Sequence, residues 1–546
     1  MVRATVLFLI WMLALPAPAA TARMGVATVE LSMGADAAYA DVRLDRSVTS
    51  FAFGAADVVR KQDFELLTAG LSFNEEQVTG SKPFRAFRMR IVPMKGERDA
   101  KYPAHFRIGT GGVVYAPALL GDPRTWQTRL RFRTAPGEVR MPARGDVSKG
   151  YVFIGPRTLL TADGGATVIA DPATPPWLVE RSRTALTAAV AEYTETLGLK
   201  LRRKPLLIVR HQPGERNFNV GDVTPGAVTA LRFHGAAWEK PDAQAGRTIE
   251  RFMLHEVFHF WNGDLASFAE GTPAWLHEGG AEYAALLAGL RRGLMTEEEV
   301  TRALGDALNA CRSGLQNTGN KSLASFSFLP AQLRYPCGMT IQWATDLHIR
   351  AASGGKETVL DAWRKIIAGA QGKARGYTLA DFNAAAGVPV GRPLPPVALL
   401  VEQSGARRWA ELAGALNGLG AEVVEAPSAT GRRAALLFHV LRNNCLDLPQ
   451  GAGYGFFING RTLKLQAPAG CRILAGDPVI ASIEGGDPFD VTEVTYAAVQ
   501  RRCAAKEPVT FVTADGRSLA AACTTPLAPA PQDYQVRRWR PQAASR

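Results

Sequence analysis

Two histidines four residues apart, His255 and His259, enclose Glu256 in the stretch HEVFHFWNGDLASFAEGTPAWLHEGGAEY, and Glu278 follows after 18 intervening residues. On a helix, that spacing sets both imidazoles on one face a turn apart, as two positions of a tetrahedral zinc site require. Glu256 would project beside the metal, where a carboxylate can take a proton from an activated water. Glu282, four residues after Glu278, shares its helix face and is placed to orient His255 from behind. His277 is next to Glu278 and points elsewhere, so it is not counted as a ligand. His105, His211, His234, His348 and His439 fall in no ligand spacing.

This chemistry needs two helices. Ile249, Phe252, Met253, Leu254, Val257, Phe258 and Trp261 give the first an apolar face without an internal proline. GTPAWLHEGGAEY predicts the second, with Thr272 as N-cap and Pro273 at the first position. A helical hairpin of this length can bring Glu278 back to the two imidazoles.

Around this centre the composition shifts along the chain. Residues 1–22 carry one early cation, an apolar run and small residues, the pattern of a cleaved signal peptide. Residues 23–151 alternate in short runs such as VATVELS and FRMRIV between Gly, Pro and Asp turns, which predicts an antiparallel, sandwich-like β domain. Residues 152–387 mix helical periodicity with the buried strand PLLIVR and hold the histidines. A Pro-rich linker at 388–396, a small α/β segment at 397–435, a β-rich module at 436–530 and a basic tail at 531–546 complete the expected order.

No segment after the signal is apolar enough to span a membrane. The expected location is periplasmic or secreted. Six cysteines, an even number in an exported chain, favour disulfides; order suggests Cys311 with Cys337, Cys445 with Cys471 and Cys503 with Cys523, one of 15 connectivities. The net charge of +13 is spread over the chain and reads as a solvated basic surface, with no nucleic-acid partner expected.

The stretch HEVFHFWNGD…WLHEGGAEY resembles the HExxH-x18-E signature of gluzincin metallopeptidases of the aminopeptidase N and leukotriene A4 hydrolase type, and its HExFHxWN start is similar to the glycyl aminopeptidase family. The resemblance implies a thermolysin-like, mainly helical catalytic domain within a multidomain α+β chain. It implies one Zn2+ per chain held by His255, His259 and Glu278, with Glu256 as general base. LRYPCG resembles the family's Y-x-K-G segment, which gives Tyr335 the role of stabilising the oxyanion; Cys337 stands in place of the lysine, and a bridge to Cys311 would restrain the tyrosine.

Gly226 and Ala227 match the start of the edge-strand segment G-x-M-E-N that holds a substrate's free amine, but Val228, Thr229 and Ala230 supply no carboxylate. The expected activity is therefore hydrolysis of peptide or protein substrates, with aminopeptidase action as its narrower form. The alternatives are a catalytically inactive peptide-binding envelope protein and a non-peptidase zinc hydrolase. Residues 436–530, with Gly-Tyr-Gly-Phe at 453–456, resemble a shortened PDZ domain, which implies a C-terminal peptide as a second partner.

Overall fold

The computed structural model describes residues 24–541 apart from 97–101, 163–164, 215–216, 328, 372–374, 389–393, 447–453 and 460–461. The expected signal peptide lies outside the described residues. The chain divides into two units, one of residues up to 187 with 201–246, the other of 188–200 with 247 onward.

In the first unit, Gly25–Met33 and Ala38–Ala52 alternate inward and outward residues and form the centre of a six-stranded sheet. Gly25–Met33 pairs in parallel with Trp126–Arg133, so the sheet is mixed where the alternation alone suggested an antiparallel one. A four-stranded sheet contributes Val114, Val152 and Ile154 to the same core as Ala27, Val29 and Leu31, which makes a sandwich. Its strand Tyr151–Pro156 crosses the expected boundary at 151/152.

The other face of that smaller sheet offers Phe106, Val113, Tyr151 and Phe153 to Ile169, Leu206, Ile208, Val228 and Ala230 of a third, five-stranded sheet. Here Thr167–Ala170, Leu206–Gln212 and Val228–His234 run parallel, with the near-continuous burial that parallel strands show. This corrects one expectation. Val228–His234 is bonded on both sides, and the edge is the antiparallel strand before it, Phe218–Thr224. Gly226 and Ala227 lie in the turn between the two strands, at φ of 96° and 57°, so they are turn residues and not part of a substrate-binding edge. A seven-residue run buried on both faces cannot stand at an open edge; the less apolar FNVGDVT can.

The second unit is helical at its centre, with Ala274–Arg291, Glu297–Gln316, Ala331–Ser353 and Val359–Ala370. Capping boxes at Thr296, Thr358 and Thr378 start three of its helices. Of the expected linker, 389–393 lies outside the described residues, and Pro395 opens the helix Pro395–Val401. The expected basic tail is also revised: Gln532–Arg538 pairs antiparallel with Glu422–Pro427, and Trp539 is buried, its carbonyl accepting from Trp343 Nε1 at 2.8 Å.

Between those paired strands the chain forms a five-stranded antiparallel sheet in sequence order, from Gly455–Asn459 to Ser518–Ala521, with the helices Ala429–Asn444 and Glu493–Ala504. Cystines join Cys311 to Cys337, Cys445 to Cys471 and Cys503 to Cys523, the pairing that sequence order suggested. Among the described residues no helix is long and apolar enough to cross a membrane.

Candidate metal centre

The helix Ala243–His259 buries Ile249, Met253, Leu254, Val257 and Phe258 almost completely, and this fixes its rotation. The Tyr193 hydroxyl donates to the Leu254 carbonyl at 2.9 Å and Trp261 Nε1 donates to the Leu199 carbonyl at 2.9 Å, which pins the helix along its length. His255, Glu256 and His259 are each more than nine-tenths buried. After His259 the chain widens into a π-helical turn, Phe260–Leu265, and so swings Asn262 back toward the imidazole.

The second helix begins at Ala274, one residue later than expected. Pro273 holds the cap position and the Thr272 hydroxyl donates to the Tyr377 carbonyl at 3.0 Å. This helix brings Glu278 to the histidines. His255 Nε2 and His259 Nε2 lie 3.2 Å apart, and Glu278 Oε2 is 3.6 Å from the first and 3.4 Å from the second. Ligand atoms about 2.0–2.1 Å from a tetrahedral metal stand about 3.3 Å from one another, so the three donors have the size of one face of a zinc tetrahedron. Two imidazoles and a carboxylate are also the chemistry of a catalytic zinc site that keeps a position open. The residues fit the metal.

The outer contacts of both imidazoles lie within the same unit. His255 Nδ1 is 3.3 Å from Glu282 Oε1, within ion-pair distance though off the line of a hydrogen bond. His259 Nδ1 is 2.9 Å from Asn262 Oδ1. Asn262 Nδ2 donates to the His277 carbonyl at 3.0 Å, which assigns its oxygen to His259 and leaves His259 Nε2 unprotonated for a metal. The Tyr377 hydroxyl donates to the Asn262 carbonyl at 2.8 Å and lies 3.3 Å from His277 Nδ1. His277 is no ligand, but its ring stacks on His259 at 4.3 Å; burial and the neighbouring His259 push its pKa down to about 3, so it packs as a neutral ring.

Burial opposes charge on His255, yet Glu278, Glu282 and Glu256 outweigh it and hold its pKa well above the usual range; Glu278, also opposed by burial, is held well below by the two histidines. A cluster this rich in carboxylate favours a cation at its centre.

Tyr335 stands on the helix Ala331–Ser353 with its ring 6.0 Å from that of His255. Burial, with the Glu278 and Glu256 charges, pushes its phenol upward, so it remains a hydrogen-bond donor at neutral pH. Two residues on, Cys337 is bridged to Cys311 of the helix Glu297–Gln316.

The structure thus brings His255, Glu256, His259, Glu278, Glu282 and Tyr335 together. Asn262 and Tyr377 were missed as contributors. Asn262 lay within the quoted HExFHxWN pattern, whereas Tyr377 is more than 100 residues away and left no local signal. A further group of donors, His439 with Cys503 and Cys523, has both sulfurs committed to a disulfide.

No protein-family model and no curated protein matches the chain. Among solved structures it is similar to an aminopeptidase N family protein from Idiomarina loihiensis, at 14% identity and a TM-score of 0.57, over 94% of this chain and 98% of that one. It also matches an M1 zinc metallopeptidase variant from Deinococcus radiodurans, at 15% identity and a TM-score of 0.39, over 72% of this chain and 94% of that one. The same variant bound to a Tyr-Ser-Ala substrate matches at 14% identity, with the same TM-score and coverage. The first likeness, spanning nearly both chains, shows the fold: this chain is built like that aminopeptidase N family protein.

Proposed function

We propose that the protein is an exported zinc-dependent metallopeptidase. The observation that carries this reading is the triangle of His255 Nε2, His259 Nε2 and Glu278 Oε2, sized for zinc and flanked by a buried glutamate and a tyrosine. His255, His259 and Glu278 would hold one zinc ion, which when bound supplies Lewis acidity toward the scissile carbonyl and makes an attacking water more acidic.

Glu256 accepts the water's proton and returns it to the departing amine. Tyr335 donates its hydroxyl hydrogen to the oxygen that becomes negative in the transition state. Asn262 holds His259 in the ligand tautomer, and the Glu282 carboxylate beside His255 Nδ1 favours the same one there. The early apolar segment and three disulfides support export.

Aminopeptidase action is the narrower form of the reading, and the residues that resemble the amine-binding segment offer no carboxylate. In the C-terminal module, the strand Gly455–Asn459 is bonded on one side only among the described residues, which supports a peptide-binding role by strand addition there.

The test is zinc content and hydrolysis of a fluorescent peptide library by the purified wild type and by Glu256→Gln. One zinc per chain in both, with turnover only in the wild type, is the expected result. Absence of zinc overturns the reading; zinc without turnover in either protein shifts it to the binding role.

A further inference from the structure

Arg334 immediately precedes Tyr335, and its guanidinium carbon lies 5.1 Å from the tyrosine ring centroid. Its charge and hydrogen bond act on the phenol, so the side chain is directed toward the tyrosine's active end. Its Nε is shielded from solvent without a hydrogen-bond acceptor, and no carboxylate forms an ion pair with it among the described residues.

Four of the other shielded arginines have a carboxylate partner, while Arg408 donates instead to the Gln403 and Lys321 carbonyls. Arg60 pairs with Glu76, Arg232 with Asp222, Arg312 with Asp533 and Arg350 with Asp346. A partly buried guanidinium with no anion keeps a desolvated charge that any arriving carboxylate would compensate, and its planar fork matches a carboxylate through two parallel hydrogen bonds.

We propose that Arg334 is a specificity-determining residue that binds a carboxylate of the peptide substrate close to the scissile bond. The inference rests on the peptidase reading and deepens it: the anchor recognises a substrate anion, where the related segment of aminopeptidases recognises an amine. The carboxylate comes either from the peptide's free C-terminus or from an Asp or Glu side chain, and both offer the same two oxygens.

The experiment uses the zinc-loaded full chain. Matched peptides are compared as free acid against C-terminal amide, and with Glu against Gln at each position around the cleaved bond. In the wild type, removing the recognised carboxylate is expected to lower kcat/KM by about 10- to 100-fold, the range of a hydrogen bond to a charged group. In Arg334→Ala that ratio falls toward one, and in Arg334→Lys, which keeps the charge but not the fork, part of it returns.

Loss of the acid-to-amide ratio identifies the C-terminus; loss of the Glu-to-Gln ratio identifies a side chain. An Arg334→Ala protein that keeps its zinc and slows on every peptide by the same factor overturns the inference, because Arg334 then only supports the tyrosine. A wild type that hydrolyses peptides without any preference for a carboxylate also overturns it and leaves the peptidase reading intact. A wild type that hydrolyses none overturns both.

Discussion

Gly279 and Gly338 meet where the helix bearing Glu278 crosses the helix bearing Tyr335. A Cβ on Gly279 would fall 2.2 Å from the Gly338 carbonyl carbon, and one on Gly338 would fall 2.3 Å from the Trp275 carbonyl oxygen. The two backbones therefore touch one residue beyond Glu278 and three beyond Tyr335, and this contact sets how far the carboxylate stands from the phenol. Gly338→Ala is expected to destabilise the fold by about 1–3 kcal/mol through overpacking and to weaken zinc binding together with it. Urea unfolding and zinc titration of the variant check this; wild-type values in both would show that the crossing can relax.

Asn262 holds His259 through its Oδ1 at 2.9 Å and is itself held by the His277 carbonyl. Asn262→Ala should lower zinc affinity by about 10- to 100-fold while leaving the helices folded. Competition with a chelator reads the affinity and circular dichroism the fold. An unchanged affinity would mean that the stacked His277 ring suffices to orient His259.

Glu256→Gln keeps size and burial but cannot accept a proton. The expected loss in kcat is about 10²- to 10⁴-fold with zinc content unchanged, measured on any peptide the wild type cleaves. A loss within a factor of a few would remove Glu256 from proton transfer.

The Cys311–Cys337 bridge closes a segment of sequence separation 26. In the chain-entropy view such a closure is worth about 3.5 kcal/mol. Replacing both cysteines with alanine should lower thermal stability and, because Cys337 lies two residues after Tyr335, reduce turnover further than the stability loss explains. Scanning calorimetry and kcat well below the new melting temperature separate the two effects.

His105, fully buried in the first unit, has its Nδ1 2.9 Å from the Ile91 carbonyl, and burial pushes its pKa down to about 3. Below about pH 6.5 the unfolded chain takes up a proton that the native state refuses, so stability is complete above that pH and falls as pH drops toward 3, by about 1.4 kcal/mol per pH unit. Unfolding at pH 7 and pH 5 should show at least this slope, and His105→Leu should make it shallower by the His105 share, leaving that of His277. An unchanged slope in the variant would assign the acid sensitivity to other groups.

The sequence by itself determined what depends on near neighbours. The i, i+4 placement of His255 and His259 and the apolar stripe behind them follow from helical periodicity, and an even set of cysteines paired in chain order. The 18-residue interval before Glu278 matched a signature because one hairpin of two helices spans it.

Tertiary structure alone decided the rest, because the partners are far apart in the chain. Gln532–Arg538 is a strand only because Glu422–Pro427 lies beside it, and its basic side chains gave no sign of that pairing. Val228–His234 is interior to its sheet because Phe218–Thr224 folds back over it, through a turn whose backbone at Gly226 and Ala227 is left-handed. Tyr377, bridged to Phe268 outside any helix, reaches Asn262, and Gly279 reaches Gly338, through tertiary packing that no local pattern encodes. Burial is a property of the assembled fold, and it is burial that leaves His277 neutral.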